Sequence, residues 1–209
     1  MSTITPITFG STDDSEEVAR AELYGLLAQL WLAPPDDDLL QQFRVAVTEA
    51  PHPGGWLESP WQDLVSALRG TTPEQAAAEF TALFLGVGKP EVFAYASFHL
   101  TGSLNDKPLA TLRADLAALG LARDEQMLET EDHIAYLFEV MRYLIAGDDV
   151  VVCNLEQQRR FFRNHLQPWT DALCEATMAH PRAAIWRAVA HFTREFMHVE
   201  TQGFDLLEA

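Results

Sequence analysis

The segment Glu129-Thr130-Glu131-Asp132-His133 places three carboxylates and one imidazole within five residues. An apolar stripe with helical spacing begins at Ile134, so the segment is expected at a helix entrance and at the edge of a core. Acidic residues in a first turn complement the helix dipole, but a protonated histidine there is disfavoured and needs a further reason. A carboxylate beside an apolar surface suits a guanidinium, which forms bidentate, charge-assisted hydrogen bonds. The segment therefore indicates a receptor for a cationic group.

A second unusual segment covers residues 86–106. It contains three glycines and one proline, which interrupt the helical pattern. It also carries large apolar side chains, which are Val92, Phe93, Tyr95, Phe98 and Leu100. A connection this long and this apolar is uncommon unless it has a function, so we expect it to take part in binding.

A metal site is the main alternative. Glu195 and His198 form a Glu-x-x-His motif on the last predicted helix, with His191 one turn earlier and Glu139 on another helix. Di-iron bundles combine two such motifs with two further glutamates. Surface polar residues on an amphipathic helix explain the motif more simply. We therefore assign no metal, and keep a helical, di-iron-like protein using Glu195 and His198 as the alternative function.

Other chemistry has weaker support. The GxGK sequence at residues 86–89 lacks the Walker pattern, and Pro90 removes an N–H that a phosphate would need. Ser97 and His99 lie close together, but no GxSxG motif surrounds Ser97. A hydrolase or transferase using Asp132 with His133, and a helical module with an unrelated basic partner, remain as rivals. We expect no catalytic residue, no cofactor and no enzymatic activity.

The composition favours a folded acidic protein. The 209 residues include 14 basic and 31 acidic side chains, a formal charge of −17, which argues against nucleic acid and anionic membrane surfaces as partners. Hydrophobic residues make up 48% of the chain, enough for a packed core. We expect a cytoplasmic location, because the chain has only two cysteines and residues 1–17 lack a secretory pattern. We expect no stable membrane insertion, because the chain has no long apolar run.

Apolar spacing is helical almost throughout the chain, and no stretch alternates as a half-buried strand does. Helix starts are predicted at Thr72 (with Pro73 and Gln75), Thr130, Pro168 and Pro181, helix ends at Gly86, Gly120 and Gly147, and a loop over residues 51–60. These signals predict about eight helices with short connections. We predict an all-α, single globular multi-helix domain over residues 14–209, after a flexible N-terminal tail over residues 1–13.

Several motifs, in this order along the chain, resemble one known family. Residues 129–134 are similar to the E-x-E-D-H-apolar signature of the TorD/DmsD family of cytoplasmic chaperones. Residues 83–86 (LFLG) resemble the family's LF-x-G helix end, and residues 95–98 (YASF) resemble its Y-x-S loop. Residues 165–169 (HLQPW) are similar to its HL-x-x-W segment, and residues 30–34 (LWLAP) resemble the aromatic end of its first helix. The resemblance extends over nearly the whole chain.

The resemblance implies a TorD-like, single all-α domain and a chaperone of molybdopterin enzymes. Such chaperones bind the twin-arginine signal peptide of the client, and sometimes its mature body, and hold back export until the cofactor is loaded. Some members form domain-swapped dimers, so a monomer and a domain-swapped homodimer are both open. Nucleotide binding has been proposed for some members, without independent support in this sequence.

A twin-arginine signal combines two guanidinium groups with an apolar segment, so its receptor should offer carboxylates at one end of an apolar groove. We predict that Asp132, helped by Glu129 or Glu131, meets the arginines. His133 would fix the local geometry or donate to the peptide backbone, and Ser97 would secure the loop through a bond to the backbone. The residues predicted to line the groove are Trp31, Phe93, Tyr95, Phe98 and His99.

Overall fold

The architecture is built from α-helices. The computed structural model describes residues 13–45, 55–86, 88–124 and 126–206. Ten α-helices lie within these residues: α1 (Asp13–Leu32), α2 (Asp37–Val45), α3 (Glu58–Arg69), α4 (Pro73–Phe80), α5 (Ala96–Thr101), α6 (Lys107–Ala118), α7 (Ile134–Ala146), α8 (Leu155–His165), α9 (Thr170–Ala179) and α10 (Ile185–Leu206). The described part of the chain has no strand, and the all-α prediction is confirmed.

Two predicted connections fall partly beyond the described residues. Residues 1–12 of the predicted tail lie outside them, and α1 already includes Asp13. Residues 51–54 of the predicted loop also lie outside them, and α3 begins at Glu58, inside the range predicted as loop.

The helices belong to two compact units of the chain. One unit contains Ala33–Val92 together with Cys174 and the residues after it. The other contains Glu17–Leu32 and Phe93–Leu173. The two segments singled out by the sequence, from Phe93 onward and around residues 129–133, both belong to the second unit.

In the first unit, α3 packs against α2 and α10. Trp61 of α3 lies at the centre of this packing, with its ring 6.0 Å from that of Phe43 on α2 and 5.6 Å from that of Phe192 on α10. All three side chains are buried. Tilted aromatic pairs stabilise a fold by roughly 1 kcal/mol each beyond the free energy of burying their surface. Because Trp61 forms such a pair with each neighbouring helix, it stabilises the packing of α2, α3 and α10.

The start and end of α4 follow the predicted signals. The Thr72 side chain accepts a hydrogen bond from the Gln75 N–H, and the Gln75 side chain accepts one from the Thr72 N–H, which is the predicted capping box. After Phe80 the chain continues as a π-helical turn, Thr81–Leu85, which ends at Gly86. Gly86 has a φ of 63°, and a Cβ there would lie 2.0 Å from the Lys89 carbonyl oxygen. Only glycine fits this position, which gives the LF-x-G motif a physical reason.

The start of α10 differs from the prediction. Pro181 lies in a turn, and the helix begins four residues later at Ile185. The carboxylate of Glu79, on α4, accepts hydrogen bonds from the backbone N–H groups of Ala184, Ile185 and Trp186 at 2.9, 3.1 and 2.8 Å. A residue distant in sequence therefore caps α10, and a local pattern could not show this.

In the second unit, α7 forms the buried centre. Its apolar stripe includes Leu137, Phe138 and Met141, all fully buried, and it packs against α8. The ring of Tyr24 on α1 lies 5.7 Å from that of Phe138. Gln158 of α8 donates a hydrogen bond to the Leu144 carbonyl oxygen, so this buried amide is satisfied.

Three predicted boundaries in the second unit are corrected. The helix predicted to start at Thr130 starts at Ile134, because His133 and not Thr130 is the N-cap. The segment predicted as a continuous loop over 86–106 contains α5. The helix predicted to start at Pro168 starts at Thr170, after a turn in which the Trp169 indole N–H donates to the His165 carbonyl oxygen at 2.7 Å.

Replacing Glu79 by alanine should lower the stability of the protein. Three backbone N–H groups of α10 lose a charged acceptor in Glu79→Ala, and we expect a loss of about 1–2 kcal/mol. Urea unfolding followed by circular dichroism measures this loss. Glu175→Ala, at an exposed position of α9, is the matched control. Equal unfolding midpoints for the two variants would contradict the proposed capping role.

Candidate functional site

Two segments that are far apart in sequence meet in the second unit. Tyr95 and His133 form an antiparallel β-bridge. The Ala96 N–H donates to the Asp132 carbonyl oxygen at 3.0 Å, and the Ile134 N–H donates to the Ala94 carbonyl oxygen at 2.9 Å. The loop before α5 is thereby held against the turn that precedes α7. We call residues 93–99 the aromatic segment and residues 129–133 the acidic turn.

Asp132 is the most deeply buried carboxylate of the acidic turn, with 1% of its surface exposed. One carboxylate oxygen accepts hydrogen bonds from the Ser97 N–H at 2.9 Å and the Ser97 hydroxyl at 2.5 Å. The other oxygen accepts from the Thr130 hydroxyl at 2.6 Å. The Ser97 hydroxyl, predicted to bond to the backbone, donates instead to the Asp132 carboxylate. The two segments are thus joined through a buried charge with three donors.

Glu131 forms a two-point ion pair with Arg113 of α6. The Arg113 Nε and Nη2 atoms lie 2.9 and 2.8 Å from the two oxygens of Glu131. The Glu131 side chain is 10% exposed, whereas that of Arg113 is 51% exposed. The hydrogen bonds from Arg113 lower the pKa of Glu131, so this carboxylate is charged at neutral pH.

Glu129 is half-buried and accepts a hydrogen bond from the Tyr95 hydroxyl. Burial, and then the bond to Glu129, raises the pKa of Tyr95, so the phenol stays protonated and remains a donor. This contact adds a third link between the aromatic segment and the acidic turn.

His133 is the N-cap of α7 and is 6% exposed. Its Nδ1 accepts a hydrogen bond from the Ala135 N–H at 3.3 Å. Burial lowers its pKa to about 4, although Glu129 and Asp132 oppose the shift. The imidazole is therefore neutral at neutral pH. A neutral acceptor at a helix N-terminus avoids the unfavourable interaction with the helix dipole that a protonated histidine would have.

The aromatic segment is half-buried and internally stacked. The rings of Phe93 and Phe98 lie 4.1 Å apart and nearly parallel. The His99 ring stacks on that of Trp169 at 5.4 Å, and its Nε2 lies 2.7 Å from the Phe93 carbonyl oxygen. Burial lowers the pKa of His99, which favours the neutral ring. Phe93, Phe98 and His99 keep part of their surface accessible to a partner.

The predicted site residues therefore fall into two groups. Partly exposed are Glu129, Phe93, Tyr95, Phe98 and His99. Buried are Glu131, Asp132, His133, Ser97 and Trp31. Trp31, at the end of α1, is 1% exposed, so its side chain is buried and offers little surface to a peptide. Direct contact of these residues with a peptide stays a prediction.

Sequence reasoning missed three residues of this region. Arg113 and Thr130 hold the carboxylates of Glu131 and Asp132. Leu128, which precedes the acidic turn, is 91% exposed, an unusual position for a large apolar side chain. The exposure of Leu128 and the pairing of Arg113 depend on tertiary packing, so no spacing rule would have identified them.

The HL-x-x-W segment supports α6, the helix that carries Arg113. The His165 Nε2 lies 2.8 Å from an oxygen of Asp115 on α6, and the Phe161 ring lies 5.0 Å from the imidazole. Burial lowers the pKa of His165, and Asp115 opposes the shift. These residues, with Arg160, line a small open cavity. Within the second unit, His165 thus joins α8 to α6.

The geometry does not favour the metal alternative. His198 and Glu195 lie 3.9 Å apart, and His191 lies 3.8 Å from Asp63 of α3. Glu139 pairs with Arg142 on its own helix at 3.1 Å. Over residues 13–45, 55–86, 88–124 and 126–206, no three histidine, cysteine or carboxylate side chains come together closely enough to hold a metal ion.

Within the residues that the structure describes, no helix is both long enough and apolar enough to cross a membrane.

Comparison with known proteins identifies relatives that match most of this chain. A family model described as "Nitrate reductase delta subunit" matches residues 56–175, which include the aromatic segment and the acidic turn. The "Chaperone protein TorD" of Vibrio cholerae is 25% identical over 204 residues, which cover 90% of this chain and 93% of the relative. The corresponding protein of Photobacterium profundum is 22% identical, covering 91% and 84%. The "Chaperone protein YcdY" of Escherichia coli is 25% identical, covering 81% and 87%.

Removing the Asp132 carboxylate should destabilise the protein strongly. Asp132→Ala leaves the Ser97 N–H and two hydroxyl groups without their buried acceptor, and we expect a loss of about 3 kcal/mol. Asp132→Asn retains one oxygen for Ser97 and should cost less. Thermal unfolding of the two variants tests this order. A melting temperature of Asp132→Ala equal to that of the unchanged protein would refute the joining role of Asp132.

His133 should make the stability depend on pH. Its pKa in the folded protein lies below its ordinary value of 6.5, so the unfolded chain takes up the proton first. The stabilising contribution is complete above pH 6.5 and is lost as the pH falls towards 4, by at most about 3 kcal/mol. His133→Asn keeps an N-cap acceptor without this titration. Its urea unfolding free energy should fall less steeply between pH 6.5 and 4. Parallel curves for both proteins would show that His133 does not cause the dependence.

Proposed function

This chain belongs to the TorD/DmsD chaperone family, whose family model is described as nitrate reductase delta subunit, and on that basis we propose that it is a system-specific chaperone for a molybdopterin-dependent oxidoreductase. In this proposal it binds the twin-arginine signal peptide of its client in the cytoplasm and holds back export until the cofactor is loaded. Binding and steric shielding perform the task, and no covalent chemistry is needed.

The observation that carries the peptide-binding proposal is the contact between the acidic turn and the aromatic segment. Glu129 is partly exposed and lies in hydrogen-bonding contact with Tyr95, while Phe93 and Phe98 stack within the same loop. Carboxylates bind guanidinium groups through two parallel hydrogen bonds, and aromatic rings bind apolar side chains. A leader with two arginines followed by an apolar segment complements both features.

The buried residues have supporting roles in this proposal. The oxygens of Asp132 are occupied by Ser97 and Thr130, so we assign Asp132 to holding the aromatic segment in place. His133 caps α7 and carries the ring against which Tyr95 packs at 5.0 Å. The partly exposed carboxylate left to meet a peptide arginine is then that of Glu129, while both oxygens of Glu131 accept hydrogen bonds from Arg113.

The net charge supports attraction of a cationic leader. A formal charge of −17 raises the local concentration of a basic peptide and speeds its association. An extended peptide loses conformational entropy when it binds, so a dissociation constant of about micromolar is expected. Because the contacts are ionic, the affinity should fall as the salt concentration rises.

Calorimetry with synthetic peptides tests the proposed function. The probe carries two adjacent arginines followed by an apolar segment of about 12 residues, with a scrambled peptide lacking arginine for comparison. We expect measurable binding of the first peptide only, weakened about tenfold by Glu129→Gln because one charged acceptor is lost. Glu139→Gln, an exposed glutamate of the same unit, is the control. Equal affinity for both peptides would overturn the proposal.

A further inference from the structure

The ion pair between Arg113 and Glu131 differs from the other arginine–glutamate contacts of the second unit. Arg142 and Glu139 lie three residues apart on one helix, and a single Arg142 nitrogen contacts both oxygens of Glu139 at 3.2 and 3.1 Å. Arg113 instead reaches from α6 to the acidic turn, 18 residues away, with two nitrogens on two oxygens. This is the fork geometry that an arginine of a bound peptide would use.

The two partners are buried to very different extents. Nine-tenths of the Glu131 side chain is buried, while half of the Arg113 side chain is exposed. Arg113 can therefore move into solvent, where water hydrates its guanidinium and partly offsets the loss of its two hydrogen bonds to Glu131. Glu131 cannot move in the same way, and a largely buried carboxylate without a cation is unfavourable. Arg123 also acts on Glu131 electrostatically, as a smaller contribution than the hydrogen bonds from Arg113. When Arg113 leaves, the two Glu131 oxygens lose both hydrogen bonds of the fork, and another guanidinium can restore them.

An exposed apolar side chain lies beside this carboxylate in the sequence. Leu128 is 91% exposed and precedes Glu131 by three residues. Apolar side chains with this exposure gain free energy when a partner covers them. Leu128 therefore offers an apolar contact to a partner that reaches the acidic turn.

We propose that Arg113 is an internal substitute for a peptide arginine, and that Glu131 exchanges Arg113 for one guanidinium of the bound leader. The inference rests on the proposed function and names the receptor carboxylate and the internal residue that competes with the peptide for it. Exchange replaces one fork of two hydrogen bonds by an equal one. A lysine ammonium is a single point charge and cannot restore both parallel bonds, so the two oxygens of Glu131 favour arginine over lysine.

The exchange has a measurable cost in affinity. In the unchanged protein the peptide must displace Arg113 from Glu131. The apparent affinity for the peptide is therefore lowered by the fraction of molecules in which Glu131 is vacant. Removing the internal guanidinium should therefore tighten the binding of an arginine peptide. A purely structural ion pair predicts the opposite, because its loss would disturb the acidic turn and weaken binding.

The test compares Arg113→Gln with the unchanged full-length protein by calorimetry, using the two-arginine peptide described above and its two-lysine counterpart. We expect Arg113→Gln to bind the two-arginine peptide about tenfold more tightly. The two-lysine peptide meets the same vacant Glu131, so its affinity should rise by a similar factor while staying weaker than that of the two-arginine peptide in both proteins. Arg113→Lys keeps a weaker internal cation and should give an intermediate gain. Arg142→Gln, which removes an equally exposed arginine from an ion pair of the same unit, should leave both affinities unchanged.

A second substitution identifies the carboxylate that responds. Adding Glu131→Gln to Arg113→Gln should abolish the gain, because the receptor charge is then absent. Circular dichroism confirms that each variant is folded, and Arg113→Lys retains the positive charge if Arg113→Gln is unstable.

The outcomes separate this inference from the proposed function. Binding of the two-arginine peptide by the unchanged protein, with equal or weaker binding by both folded Arg113 variants, overturns the exchange and leaves the proposed function standing. Failure of the unchanged protein and of every variant to prefer the two-arginine peptide over the scrambled one overturns both.

Discussion

The buried carboxylate of Asp132 is the interaction on which the candidate site depends. Its oxygens accept three hydrogen bonds, two from Ser97 in the aromatic segment and one from Thr130 in the acidic turn. A buried charge without such donors is unfavourable by several kcal/mol. The carboxylate therefore stabilises only the arrangement in which the two segments lie together, and two backbone hydrogen bonds align them. The loop before α5 keeps its position without belonging to a sheet.

The charged side chains of the acidic turn therefore have two kinds of role: Asp132 stabilises the fold, and the two glutamates are proposed to bind the partner. Asp132 satisfies donors of its own chain, and the neutral His133 satisfies the first turn of α7. Glu129 and Glu131 remain at the border of the buried region, where Glu129 accepts a hydrogen bond from Tyr95 and Glu131 accepts two from Arg113. A partner that brings cations meets carboxylates already in position, which reduces the ordering cost of binding. The proposed selectivity for arginine follows from the same geometry.

Local signals in the sequence predicted much of the helical pattern. The capping box at Thr72 and the helix end at Gly86 are confirmed, because each depends on residues only a few positions apart. Predictions that placed a cap or a first turn at Thr130, Pro168 and Pro181 are wrong. In these places the chain forms a turn first. His133 caps α7 and Glu79 caps α10, so side chains other than the predicted ones satisfy the first N–H groups of these two helices.

The amino-acid sequence by itself determined the all-α fold, the family and the two segments that form the candidate site. Only the tertiary structure decided which carboxylate is buried and which partner each one has. In sequence, Ser97 lies 35 residues from Asp132, and Arg113 lies 18 residues from Glu131. Glu79 accepts a hydrogen bond from the N–H of Ala184, which lies 105 residues away in sequence. Helical periodicity relates residues within a few turns, whereas these contacts depend on how separate helices pack.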